Sequence, residues 1–301
     1  MRLATFLQSA PPLHVFALGE EALLYGRLSR ARDALARIER CELPESWYQL
    51  GPVGLLQLDK HALVGALGVI NKVLDKPATR SSLVVPNSWV RSLVIEPGPL
   101  PRDHQEAEDV VRWRLKKLLP CRPEEVRLDF VASNGSDRVL VLLALDKPFT
   151  VLEECFAGAG IRLGRIEPAV LALARVLPFS EEPIMVVSLE PRVLALALVA
   201  RGKVVLVRHK PLPSVAGHAL VARELTRTVA HLSGEGDLGA TLRVVLACDD
   251  DALSQAVESW ALGEVGVHLE AMSAGPQSVA RVPGARVAEL WALLAVGSGG
   301  V

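Results

Sequence analysis

The stretch IMVVSLEPRVLALALVARGKVVLVRHKPL, residues 184–212, decides the fold of this chain. Its three apolar runs are broken at Glu190-Pro191 and at Arg201-Gly202, which predicts an up-and-down meander of three strands. Beyond it the chain alternates: a long helix over 215–232, the strand LRVVLA, the helix DALSQAVESWAL, the strand GVHLEAM and a last helix VAELWALLAVG. A meander followed by alternating helices and strands predicts an α/β domain.

The first half of the chain is predicted to follow the same plan. LHVFALGEEALLYGRLSR, residues 13–30, indicates two short strands around a Gly-Glu-Glu turn, with a third strand beyond. Asp59 then caps a helix, and Leu83-Val84-Val85 is a buried-strand run. In both halves the early strands are predicted to turn at a glycine followed by a basic residue, Gly26-Arg27 and Gly202-Lys203. Together these patterns predict a duplicated βββαβα core.

Composition bounds the class of protein. The 301 residues suffice for about two domains, and half of them are hydrophobic. Lys plus Arg (33) nearly cancels Asp plus Glu (34), and the net charge of −1 argues against a bulk nucleic-acid binder, which needs a basic surface. Apolar runs such as 139–145 and 193–200 are far shorter than the roughly 20 residues of a spanning helix. No membrane span is therefore predicted.

The sequence lacks the common catalytic motifs. It has no nucleophile elbow, metalloprotease helix, phosphate-binding loop or dinucleotide-binding glycine motif. The four cysteines and seven histidines are scattered, so no metal site is predicted. Asp249-Asp250-Asp251 could gather Mg²⁺, but it also opens a helix, and capping is the favoured explanation. An unrelated two-domain α/β enzyme stays an alternative without a convergent acid, base or nucleophile.

One predicted helix carries a basic cluster. It begins with the cap-like pair Asp103 and Glu106 and ends before Pro120. Its apolar stripe comprises Ala107, Val110, Val111, Leu115 and Leu118, and its basic residues near the end are Arg112, Arg114, Lys116 and Lys117. Arg114 falls inside the stripe and Trp113 about 140° away from its centre. Complementing the helix dipole is one explanation, and an interaction surface is the other.

The stretch SSLVVPNSWVRSLVIEPGPLPRDHQEAEDVVRWRLKKLLPCRPEEVRLDF, residues 81–130, resembles the PilM family of type IV pilus assembly proteins. The matching motifs are Val85-Pro86-Asn87-Ser88, Arg112-Trp113-Arg114, Leu119-Pro120, Glu124-Glu125 and Asp129-Phe130. Residues 151–177, 184–212 and 288–297 resemble later passages of the family, in the same order. The cytoplasmic half of the type II secretion GspL proteins is a close competitor.

The resemblance implies an actin-like, FtsA-like fold: two α/β domains around a nucleotide cleft, with an inserted small α+β subdomain. Residues 1–90 and 165–181 would form the first domain and 91–164 the inserted subdomain. Residues 182–301 would form the second domain, with the last helix, 286–298, packing back on the first.

The resemblance also locates a nucleotide site from which this chain departs. In such proteins an Asp-x-Gly turn after the first strand of each half holds Mg²⁺ and phosphates, and a Gly-Gly pair contacts the adenosine. Here the three places are Ala17-Leu18-Gly19, Ser188-Leu189-Glu190 and Ala247-Cys248-Asp249. Lost metal ligands and an added anion oppose phosphate binding. We expect a degenerate site with no cofactor and no metal, and the alternative is a working ATPase that binds ATP and Mg²⁺ through altered ligands.

The role that remains is scaffolding. The resemblance implies a cytoplasmic protein, held at the inner membrane by partners, that binds the N-terminal tail of a PilN-like single-span membrane protein. Other pilus or secretion platform proteins, or their ATPase, are further expected partners, and nucleic acid is not. The tail would bind in extended form between the first domain and the inserted subdomain. The expected contacts are Val84, Asn87, Val90, Trp113, Arg114, Arg165 and Glu167.

Overall fold

The computed structural model describes residues 12–74, 77–132, 138–190, 192–213, 217–234, 238, 241–272 and 285–298. The strands, in chain order, are β1 (His14–Leu18), β2 (Ala22–Leu28), β3 (Leu35–Glu42), β4 (Tyr48–Gly51), β5 (Gly54–Leu58), β6 (Arg80–Val85), β7 (Arg91–Ile95), β8 (Val126–Ala132), β9 (Val139–Leu145), β10 (Arg162–Pro168), β11 (Ile184–Glu190), β12 (Val193–Ala200), β13 (Lys203–Pro211), β14 (Leu242–Cys248) and β15 (Val267–Ala271). The helices are α1 (Lys60–Val73), α2 (His104–Leu115), α3 (Asp146–Gly158), α4 (Ala169–Arg175), α5 (Gly217–Gly234), α6 (Asp251–Gly263) and α7 (Val287–Ser298). Within these ranges no helix combines the length and the apolar character needed to cross a bilayer.

Two five-stranded sheets share one strand order. The first sheet runs β10-β6-β1-β2-β3 and the second β15-β14-β11-β12-β13. In each, the first three strands in sequence pair antiparallel, the fourth pairs in parallel with the first, and the fifth pairs in parallel with the fourth. Parallel pairing requires a crossover, which α1 supplies between β3 and β6 and α5 supplies between β13 and β14. The duplicated βββαβα core is therefore confirmed.

The glycine turn is confirmed in one half and wrong in the other. Arg201 and Gly202, both with positive φ, make the turn between β12 and β13. Gly26, by contrast, lies inside β2, paired with Val15 on one side and Ile38 on the other. A Cβ on Gly26 would come within 2.9 Å of the Val15 side chain. Close packing between strands, rather than a turn, thus explains this glycine.

The last helix joins the two halves. α7 follows the second sheet in sequence but packs on β1, β2 and β6 and against α4. Its buried residues Ala292, Leu293 and Val296 lie in one apolar core with Val15 of the first sheet and with Val186 of the second. That shared core lies between the two sheets and is continuous across them.

A three-stranded sheet with the order β7-β9-β8 forms the inserted part. On one of its faces, Val111 and Leu115 of α2 share a small core with Val141. On the other face, Val94 and Leu142 pack against the main core. The insertion is therefore anchored to the body by its sheet, and α2 covers the opposite side.

Helix α3 lies within the range 91–164 but not within the insertion's own core. Its buried residues Phe149, Leu152 and Phe156 pack in one cluster with Phe16 and Leu63, which belong to the first domain. Their burial on the first sheet makes α3 a helix of that sheet. We propose that the insertion ends at residue 145, with the end of β9.

Candidate functional site

The residues that replace the two metal-holding aspartates lie at the centres of the two sheets. Ala17 in β1 pairs with Leu24 and Val84, and Ser188 in β11 pairs with Ala195 and Ala247. Both are buried, and within the described residues the Ser188 hydroxyl has no hydrogen-bond partner. Neither side chain supplies the anionic oxygen that Mg²⁺ prefers.

Glu190, at the end of β11, belongs to a bridge between the two halves. Asn87 donates from Nδ2 to Glu190 Oε1 at 2.8 Å, and its Oδ1 accepts from the backbone N–H of Val170 at 2.8 Å. One buried amide thus joins the end of β6, the start of α4 and the second sheet. Burial raises the pKa of Glu190 to about 7, and the nearby Glu289 carboxylate adds to the rise, while Arg286 opposes it.

A second carboxylate covers the turn between β1 and β2. Gly19 donates its N–H to the carbonyl of Ala22 at 2.9 Å, and a Cβ placed on Gly19 would come within 2.7 Å of Glu289 Oε1. Glu289 comes from α7, and its other oxygen accepts the backbone N–H of Arg286 at 3.0 Å. Burial raises the pKa of Glu289. The turn to which the resemblance assigns phosphate is therefore in contact with a carboxyl group of the protein.

The third motif borders a small cavity of about 350 Å³. Its ionisable lining comprises Glu190, His218, Asp249, Asp250 and Arg286. Asp250 caps α6 by accepting the Leu253 N–H at 2.9 Å, which confirms the capping explanation. Burial raises the pKa of the Cys248 thiol, whose sulfur lies 3.3 Å from the Asp250 carbonyl oxygen. In the described ranges no three His, Cys, Asp or Glu side chains converge as a metal site would require.

The structure brings only some of the seven predicted partner contacts together: Val84 pairs with Glu167 across β6 and β10, whereas Trp113 and Arg114 lie on α2. Val84 and Asn87 are 2% exposed, so neither presents a free surface in the chain on its own, and their part in partner binding stays a prediction. Val84 is buried because β6 is an interior strand, and Asn87 because both ends of its amide are used inside the protein. Val90 is half-buried and forms an isolated antiparallel bridge with Gly54.

Arg165 and Glu167 lie on β10, the outer strand of the first sheet. Glu167 is buried and accepts from Arg175 Nε at 3.0 Å. Burial raises its pKa, against the opposing effect of Arg175 and Arg165. Within the described residues, Arg165 Nη1 and Glu167 Oε1 are buried without a hydrogen-bond partner. Their part in partner binding stays a prediction.

Trp113 and Arg114 are exposed on α2. The Arg114 guanidinium lies 5.1 Å from the centre of the Trp113 ring, and its Nη2 donates to the Pro97 carbonyl at 3.2 Å. Asp103 caps the helix as predicted, but regular α-helix ends at Leu115. Arg114 therefore reaches outward from the predicted stripe, because only the part of the stripe at Ala107, Val111 and Leu115 is buried.

The sequence did not predict a large groove on the described part of the chain. Its volume is about 1390 Å³, and it lies between the β4–β5 hairpin, β7 and β13. Its apolar lining includes Leu50, Val53, Leu93, Val94 and Leu206. Acidic residues enter from the first domain at Glu20, Glu21 and Glu45, and basic residues from β7 and β13 at Arg91, Arg208 and Lys210.

The electrostatics of the groove follow from this division. Burial lowers the pKa of His209, and the positive charges of Arg91 and Lys210 lower it further. Arg208 is paired inside the second domain with Glu224, at 2.6 Å. The β7–β13 side is thus electropositive, while Leu50, at 48% exposed, leaves an apolar surface on the hairpin side.

The hairpin itself could have been found from Gly51-Pro52-Val53-Gly54. Gly54 has a φ of +120°, and a Cβ there would come 2.1 Å from the Trp89 carbonyl oxygen. Glycine is required because the hairpin meets the backbone that leads into the insertion. The flanking strands are half polar and lack clear alternation, so they show no strand pattern in the sequence.

No protein-family model and no curated protein sequence matches the chain. Several solved structures are similar to the chain. A chain of the PilM–PilN type IV pilus biogenesis complex has a TM-score of 0.72 at 18% identity, over 97% of this chain and 98% of that one. The cytoplasmic domain of EpsL, an inner-membrane component of the type II secretion system of Vibrio cholerae, has a TM-score of 0.50 at 12% identity, over 83% and 94%. A Bacteroides thetaiotaomicron protein of actin-like ATPase fold and unknown function has 0.50 at 12%, over 85% and 90%.

The chain therefore has the actin-like fold, and the predicted fold class is confirmed. Within that class, its architecture is similar over nearly the full length to the chain in the PilM–PilN complex. At these identities the likeness concerns the fold, and function has to be argued from the site.

Proposed function

We propose that this protein is a non-catalytic scaffold of a type IV pilus or type II secretion-like assembly platform, located on the cytoplasmic side of the inner membrane. The observation that carries the proposal is the Glu289 carboxyl group on the Gly19 turn, in a fold shared end to end with a chain of the PilM–PilN complex. A platform subunit needs the actin-like body as a rigid support and does not need its hydrolytic chemistry.

Electrostatics favour the scaffold over an ATPase. A nucleoside triphosphate in the cleft would lie near the carboxyl groups of Glu190 and Glu289. Asp249 and Asp250 line the adjoining small cavity, together with the positively charged Arg286. Once ionised, these four carboxylates outnumber the single Arg286 charge and repel phosphate, and neither Ala17 nor Ser188 offers a carboxylate to hold a screening metal. We expect no ATP and no Mg²⁺ as cofactors.

Isothermal titration with Mg-ATP tests this part. We expect no heat of binding corresponding to a Kd below about 1 mM. Urea unfolding of the same preparation must be cooperative, so that a negative titration reports on folded protein. A micromolar Kd would overturn the proposal in favour of the ATPase alternative.

We further propose that the large groove binds the extended N-terminal tail of a PilN-like membrane protein. An extended peptide can be bound through backbone pairing and through pockets for alternate side chains. The groove offers β13, the outer strand of the second sheet, and the apolar surface of Leu50, Leu93 and Leu206. This location does not include Val84 or Asn87 but retains the neighbourhood of Val90, because Ser88 and Arg91 line the groove.

Two matched leucines allow a sharp test. Leu50 is 48% exposed and lines the groove, whereas Leu56, on the same hairpin, is 50% exposed and does not line it. With a synthetic peptide of the N-terminal tail of a PilN-like protein, Leu50→Asp should weaken binding at least about tenfold. Leu56→Asp should leave the Kd within about twofold. Equal losses in both variants would contradict the groove as the binding site.

The same titration tests the sequence-based prediction for α2. If Trp113 and Arg114 contact the tail, Trp113→Ala and Arg114→Glu will weaken binding as Leu50→Asp does. Since neither residue lines the groove, we expect both Kd values to stay within about twofold of the unmodified chain.

A further inference from the structure

The C-terminal turn of α2 carries a compact exposed patch that the proposed function does not use. The α2 patch consists of Trp113, Arg114, Lys117 and Leu118, all exposed, with Trp113 at 67% and Leu118 at 51%. Backbone coiling continues beyond the helix, because Leu119 donates its N–H to the Leu115 carbonyl at 3.1 Å. Since residues four apart lie on one side of such a coil, Trp113 shares a side with Lys117 and Arg114 shares a side with Leu118.

The patch lies in the most basic segment of a nearly neutral chain. Residues 110–122 contain five Lys and Arg and no Asp or Glu, although the whole chain has a net charge of −1. Arg112 is used internally: it pairs with Glu108 at 2.8 Å and donates to the carbonyls of Pro123 and Val126. Arg114, Lys116 and Lys117 form no ion pair within the described part of the chain. Their charges therefore face solvent.

We propose that the α2 patch is a docking surface for an anionic phospholipid bilayer. Tryptophan is favoured at the boundary between headgroups and acyl chains, and a neighbouring leucine can insert beside it. Lysine and arginine next to such anchors are attracted by the negative surface potential of anionic lipids. The combination of an aromatic anchor, an aliphatic anchor and unpaired cations within two turns matches that interface in both charge and polarity.

The α2 patch and the groove share no residue. Trp113, Arg114, Lys117 and Leu118 are all absent from the groove lining, although the groove touches both faces of the β7-β9-β8 sheet through Leu93 and Val94. Lipid docking and tail binding would therefore use different residues. The lipid proposal does not depend on the proposed function, and either can fail alone.

Vesicle co-sedimentation of the full chain tests the proposal. The vesicles are phosphatidylcholine alone, and phosphatidylcholine mixed with phosphatidylglycerol. We expect binding to the mixed vesicles only, and its loss at high salt, because exposed charges are then screened. Lys116→Glu combined with Lys117→Glu should reduce the bound fraction at least about tenfold, and Trp113→Ala by about fivefold.

A charge-matched variant controls for net charge. Arg30 and Arg223 are exposed and lie outside α2, and Arg30→Glu combined with Arg223→Glu changes the net charge by the same amount. This variant should bind the mixed vesicles within about twofold of the unmodified chain. Equal loss in both double variants would overturn the proposal, and so would equal binding to both kinds of vesicle. Binding to duplex DNA or polyglutamate with no binding to vesicles would overturn it too, by assigning the patch to another polyanion.

Discussion

The two sheets have the same strand order, but the carboxyl group at the end of the first strand comes from a different part of the chain in each. In the first sheet, the turn keeps Gly19 and is covered from outside by the Glu289 carboxyl of α7. In the second, the strand end supplies its own carboxyl, Glu190, which is bound by Asn87 from the other half. Equivalent positions in a duplicated fold can thus make different contacts between the halves. Three measurements test how these carboxyl groups contribute to stability.

The largest effect is expected at Asn87. Asn87→Ala removes two hydrogen bonds and leaves the buried Val170 N–H and the Glu190 carboxyl without their partner, so the free energy of unfolding should fall by about 3 kcal/mol. Urea unfolding measures it. Asn71→Ala is the matched control, because Asn71 donates one partly buried bond to the Ala159 carbonyl, and about 1 kcal/mol should be lost. Equal losses in the two variants would show that the bridge between the halves adds nothing.

The next effect is expected at Glu190. Its pKa rises from 4.5 in the unfolded chain to about 7 in the folded protein, so the unfolded state releases its proton first as the pH increases. The contribution of Glu190 to stability is full below about pH 4.5 and is lost as the pH rises to about 7. Glu190→Gln keeps an acceptor for Asn87 and cannot ionise. The difference in free energy of unfolding between this variant and the unmodified chain should therefore be about 2 kcal/mol larger at pH 8 than at pH 5. Parallel pH profiles would contradict this.

The smallest effect is expected at the Gly19 turn. Gly19→Ala would place a methyl group 2.7 Å from Glu289 Oε1, at the end of a flexible side chain, and should cost about 1 kcal/mol. In a Glu289→Ala background the same substitution should cost nearly nothing, because the crowding oxygen is gone. A double-mutant cycle by urea unfolding gives the coupling energy. A cycle without coupling would mean that Glu289 does not cover the turn.

The core of the fold could be predicted because its signals are local. The meander at 184–212, the caps at Asp59 and Asp103 and the alternation of helix and strand each depend on neighbouring residues, and the structure has each of them. The Gly26 turn failed because a glycine can serve close packing as well as a turn, and the sequence does not distinguish the two.

The site could not be predicted to the same depth, since its contacts are distant in sequence. Asn87 is polar and follows a proline, which suggests a surface turn, yet its partner Glu190 comes from the other half of the molecule. The groove is formed by three elements from three parts of the chain, and one of them, the β4–β5 hairpin, has no clear periodicity. The sequence shows that neither Ala17 nor Ser188 is an aspartate, whereas the contact of Glu289 with the Gly19 turn depends on the path of α7 and is not visible in it.

The path of the last helix has a mechanical consequence. A Cβ on Gly297 would come 2.4 Å from the Leu28 side chain, so α7 lies directly on the first sheet, while the chain that leads to it comes from the second. Moving the two sheets apart would require α7 to leave the core that both sheets share. A pull on one half is therefore transmitted to the other through packed side chains. We therefore expect the two halves to move together as one rigid unit under load, with no hinge between them.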